Sequence, residues 1–109
     1  MNKNSIILKH FFDKIINVGS EISSKNYIII VLSASLNQEK KKFSSLELIN
    51  FNGQEIIIDE KVDKLKPNDI IPPINNIFDY LFLETSKKML RENVDPKLYD
   101  EFKKLGLHV

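Results

Sequence analysis

The chain has 109 residues, with 16 Lys+Arg against 15 Asp+Glu and a formal net charge of +1. That balance excludes a strongly polyanion-seeking protein and an acidic mimic of DNA alike. Cysteine is absent, which excludes disulfide scaffolds, thiolate metal sites and thiol catalysis. The length suits one domain, residues 1–109, with a modest core. Hydrophobic residues make up 42% and Gly and Pro number only 3 and 4, a composition that favours folding over disorder.

Arg91 is the one arginine in the chain. Bidentate reading of guanine normally uses the arginine fork, so sequence-specific DNA readout is not expected. No apolar run approaches a membrane span, and the longest is Tyr27 to Leu32. Ile6 to Leu8 is too short for a signal-peptide core, and no Asn-x-Ser/Thr acceptor occurs. With no cysteine, a cytoplasmic protein is the expectation.

Residues 5–18 predict a helix, with Ile7, Phe11, Ile15, Val18 and Ile22 recurring as one apolar stripe. Asn4 or Ser5 is its expected cap. The helix either stops at Gly19 or continues to Ser24. Residues 26–36 alternate, with Ile28, Ile30, Leu32, Ala34 and Leu36 on one face, and predict a strand. Residues 37–42 then form a charged hairpin loop. Asn52-Gly53, between strand-like runs 43–51 and 54–60, predicts a two-residue type I′ hairpin. In that register Ile49 faces Ile56, and Phe51, Ile49, Ile56 and Ile58 share a face.

Residues 61–73 read as irregular, ending at Pro72-Pro73, with Asp69 to Ile71 available as a short fourth strand. Residues 74–92 predict a second helix and 96–105 a third. The third has Asp95 as N-cap, Pro96 at the first helical position and Gly106 as stop. The expected fold is therefore α+β: an N-terminal helix, an antiparallel meander of three strands, or four, and two C-terminal helices.

Chemistry-bearing groups are sparse. There is no Gly-rich phosphate loop and no His-Glu-x-x-His motif. His10 and His108 are the only histidines, and His10 reads as a boundary residue of the first helix. No cofactor is called for. What stands out is apolar surplus, concentrated at Ile77, Phe78, Tyr80, Leu81, Phe82 and Leu83, where the second helix is apolar nearly all round. That surplus points to a non-enzymatic protein-interaction domain whose partner is another protein or a second copy of the chain, as a homodimer. Small chains of this kind are often accessory, immunity or defence-inhibitor proteins of mobile elements.

Two resemblances supply alternatives. Tyr27 to Ile71, with its long first strand, Asn-Gly hairpin and Leu65-Lys66-Pro67-Asn68-Asp69 turn, resembles the opening of an OB-fold. That resemblance implies a single-stranded nucleic-acid binder, with Tyr27, Phe43 and Phe51 stacking bases and Lys40, Lys41 and Lys42 holding phosphates. Glu47, Asp59 and Lys61 on paired strands resemble the pattern of metal-dependent nucleases of the PD-(D/E)xK type. There two carboxylates hold a divalent cation and a lysine helps activate water.

Overall fold

The computed structural model describes residues 2–109. Among them are five α-helices and one two-stranded antiparallel sheet, a helix-rich α+β arrangement.

Helix α1, Asn4–Ile22, buries Ile7, Phe11, Ile15 and Val18, four of the five residues of the expected stripe. It continues through Gly19 and ends at Ile22, short of Ser24, and Ile22 stands half in solvent instead of being buried. Neither Asn4 nor Ser5 caps it. Asp63, 58 residues away, does so: its carboxylate accepts from the Ser5 backbone N–H at 2.7 Å and from Ser5 Oγ at 2.9 Å. A carboxylate there satisfies a free helical N–H and complements the helix dipole.

Residues 26–36 are helical, not a strand, and this is the largest correction to the expected fold. Helix α2 spans Lys25–Lys40 and absorbs most of the expected charged loop. Ser24 caps it, accepting from the Tyr27 N–H at 3.1 Å. The apolar run satisfies a period of two, but Ile28, Leu32 and Leu36 also recur every four residues, and those three are buried. A stretch of 16 residues without Gly or Pro is long for a strand and ordinary for a helix. Gly19 lets α1 and α2 approach: a Cβ there would stand 2.5 Å from Ile28 Cγ1.

A 3₁₀ turn, Ser44–Leu48, leads into strand β1, Ile49–Phe51, which pairs with β2, Ile56–Ile58. No meander forms, because the would-be first strand is α2 and the would-be fourth lies in a helix. The hairpin is present with its register shifted by two: Ile49 faces Ile58 and Phe51 faces Ile56. Asn52 and Glu55 pair instead across the tip, where Gly53 takes φ +102° and Asn52 Oδ1 accepts from the Glu55 N–H at 3.2 Å. A shift of two keeps every side chain on its face, so Ile49 and Ile56 are buried as expected. Lys9 of α1 donates to the Ile56 carbonyl at 2.8 Å and covers this short sheet.

After a second 3₁₀ turn, Glu60–Lys64, helix α3 runs from Pro67 to Leu81, straight through Pro72-Pro73. Proline removes the N–H that would serve the carbonyl four residues back. Ser45 Oγ serves one of them, donating to the Asp69 carbonyl at 2.6 Å. The expected helix 74–92 is broken at Phe82 and Leu83, which are extended, and helix α4 follows as Glu84–Glu92. The break drives Phe82 into the core against Phe78, with ring centroids 5.2 Å apart. Helix α5, Pro96–Leu105, has the expected Asp95 cap and a left-handed Gly106 stop at φ +102°.

Phe11 centres the core. Its ring meets Phe12, Phe78 and Phe102 edge-on at 5.7, 5.1 and 5.4 Å, joining α1, α3 and α5. Among the described residues no helix is long and apolar enough to cross a membrane.

Candidate interaction surface

Helices α2 and α3 pack side by side along a seam and leave large side chains in solvent. The α2 residues Tyr27 and Ile30, one turn apart, are 61% and 66% exposed, and Tyr80 near the end of α3 is 75% exposed. Two hollows flank Tyr80 along this seam. The first, about 380 Å³, is walled by Ile22, Tyr27, Val31, Tyr80 and Leu81. The second, about 370 Å³, is walled by Ser35, Gln38, Glu39, Asn76, Ile77 and Tyr80. Both are at the small end of the roughly 300–1,000 Å³ that ligand pockets occupy.

The sequence-derived partner residues divide here. Ile77, Phe78 and Phe82 are buried and belong to the core, and Leu81 is half-buried. Tyr80 and Leu83 remain outward. Core assignment follows from the break at Phe82, which turns one side of the apolar stretch inward. Ile22 and Ile30 are not surface candidates in the sequence, because Ile22 falls in the apolar stripe of the first helix and the strand reading of 26–36 puts Ile30 on an apolar sheet face.

The nucleic-acid candidates do not form one surface. Tyr27 lies at the start of α2 and Lys40 at its end, about 20 Å along the axis at ~1.5 Å per residue. Lys40 is engaged with Asn50 Oδ1 at 2.7 Å, Lys41 and Lys42 are exposed in the turn after α2, and Phe43 and Phe51 pack half-buried against the core. A two-stranded sheet with helices over 25–40 and 67–81 leaves no barrel. The nuclease triplet fares no better. Glu47 sits in a 3₁₀ turn, and Asp59 caps the next one by accepting from the Lys61 N–H at 2.9 Å. Among the described residues no three His, Asp or Glu side chains cluster to hold a metal ion. His10 is exposed on α1.

One polar cluster is built rather than accidental. Asn75, buried in α3, donates to the Gly106 carbonyl at 3.0 Å and accepts from the His108 N–H at 2.9 Å. One turn on, Asp79 takes Lys87 Nζ at 2.6 Å and His108 Nδ1 at 2.9 Å. Partial burial works to raise the Asp79 carboxyl, but the hydrogen bonds and charges of Lys87 and His108 outweigh it and hold it below the usual carboxylate range. Lys87 also lies 5.1 Å over the Phe78 ring. Every member has a structural partner, so the cluster fastens residues 106–108 and α4 to α3. A larger hollow of about 440 Å³ between α1, Pro67 and α5 has Lys97, Asp100, Glu101 and Lys104 on its rim. Its mixed signs select no ligand charge.

No protein-family model matches the chain, and no curated protein and no solved structure matches it.

Proposed function

We propose that the chain is a non-enzymatic protein-interaction domain that receives a protein partner on the α2–α3 seam around Tyr80. One observation carries the reading: Tyr27, Ile30 and Tyr80, three large side chains, stand mostly in solvent on neighbouring elements while the core beside them is filled. Exposed tyrosines beside side-chain-sized hollows suit an interface, since tyrosine supplies apolar area with a polar tip and is common among binding hot spots. The single arginine and the two separated histidines give the chain little for catalysis, in keeping with a binding role.

The test places a photo-crosslinking amino acid at position 30 or 80 of the full chain in its producing cell, with position 97 on α5 as control. Discrete protein adducts from 30 and 80, absent from 97, are expected. Adducts from 97 alone, or from none of the three, contradict the reading.

A further inference from the structure

The tip of the hairpin sets the chain up to react with its own backbone. Asn52-Gly53 is the one Asn-Gly pair among the 11 asparagines, and residues 52–55 are all exposed. Asn52 Oδ1 accepts from the Glu55 N–H at 3.2 Å and, more weakly, from the Gln54 N–H at 3.5 Å. Among the described residues, neither the Gly53 N–H nor Asn52 Nδ2 has a hydrogen-bond partner. Gly53 takes φ +102°, and no atom lies within 4 Å of the place a Cβ would occupy. The side-chain carbonyl is thus polarised by two donors, its amino group is free to leave, and the neighbouring backbone nitrogen is unshielded. Donors already aimed at an oxygen on which charge develops stabilise a tetrahedral intermediate.

We infer that Asn52 is a site of spontaneous deamidation, with the Gly53 nitrogen as nucleophile and the Gln54 and Glu55 N–H groups as an oxyanion pocket. The Gly53 nitrogen gives its proton to hydroxide and bonds to Asn52 Cγ, and the negative charge forms on Oδ1. Collapse of that intermediate breaks the Cγ–Nδ2 bond. The departing nitrogen takes a proton from water and leaves as ammonia. Water then opens the cyclic imide at one of its two carbonyls. Opening at Cγ leaves an aspartate. Opening at the Asn52 backbone carbonyl leaves an isoaspartate, whose main chain is one carbon longer. Either product adds a negative charge three positions from Glu55. The isoaspartate also displaces the adjoining pair Phe51 and Ile56 from register. Ile56 is fully buried and its carbonyl holds Lys9 of α1, so the change at the tip reaches the core.

The test ages the full chain in mildly alkaline buffer, once folded and once unfolded in urea. Ammonia release, peptide mapping by mass spectrometry and labelling by an isoaspartyl methyltransferase follow the reaction. Conversion in the folded chain is expected at Asn52, rising with hydroxide concentration. It should run at least as fast as in urea, because only the folded tip holds Oδ1 against the Gln54 and Glu55 N–H groups. Asn52→Gln should abolish it, since the longer side chain must close a larger ring. A folded chain that keeps the Asn52 amide while the unfolded chain loses it would show that the hairpin shields the site, and overturn the inference. Conversion in the folded chain that spreads over the other asparagines, or survives Asn52→Gln, would overturn it too.

Discussion

Helices α1 and α2 are adjacent, both rich in isoleucine, and joined by a two-residue turn, yet they are used differently. Helix α1 buries nine of its 19 residues, and its Phe11 ties three helices together. Helix α2 buries three of its 16 and leaves Tyr27 and Ile30 in water. Apolar content alone therefore does not mark the core. Stability resides where side chains interlock on all sides, and the α2–α3 seam holds apolar area that folding does not consume.

The contrast breaks most visibly on the α1 side. Phe78→Ala removes a fully buried ring that touches both Phe11 and Phe82, and should cost about 3–5 kcal/mol of unfolding free energy. Thermal or urea unfolding checks it, and a loss below 1 kcal/mol would deny the aromatic centre its role.

Gly19→Ala probes the junction of the two helices. The new methyl would meet the Ile28 side chain at 2.5 Å, an overlap worth about 1–3 kcal/mol of strain. Combining it with Ile28→Ala removes the nearest atoms, so the double variant should lose less than the sum of the singles. Strict additivity would mean that the helices do not meet there.

Asn75→Ala leaves the Gly106 carbonyl and the His108 N–H without partners and should cost about 1–3 kcal/mol. Amide exchange at His108 should quicken in the same variant, a readout confined to this fastening. Unchanged exchange would show that the segment is held by something else.

The smallest effect concerns acidity. The Asp79 carboxyl is held below its ordinary value of 3.8, so its folded form binds protons less readily than its unfolded form. The stabilisation is complete above that ordinary value and is lost as pH falls through the depressed one. The gap in melting temperature between wild type and Asp79→Asn should therefore close as the pH falls into the acid range. A gap that widened in acid would reverse the assignment.

Much of this was legible beforehand, and the misses have physical causes. Helix α5 was plain because Asp95, Pro96 and Gly106 punctuate it locally. The hairpin faces were plain because a register error of two preserves side-chain parity. Helix α2 was misread because Tyr27 to Leu32 fits a strand over six residues, and only Leu36 and the packing on Gly19 decide for a helix. The run through Pro72-Pro73 depends on Ser45, which bonds the Asp69 carbonyl from 24 positions away. Of the candidate surface, Tyr80 and Leu83 were visible as surplus. Their buried neighbours were not separable from them, since the break at Phe82 is set by the core it enters.

The central claim is that the Phe11 side is core and that the Tyr80 side, proposed above to receive a partner, is surface. Urea unfolding of Phe11→Ala and Tyr80→Ala, measured side by side with wild type, tests it most directly. The account predicts a loss of about 3–5 kcal/mol for the first and no more than about 1.5 kcal/mol for the second, from the quarter of Tyr80 that is covered. Equal losses, or a larger one for Tyr80→Ala, would make the seam part of the core and contradict it.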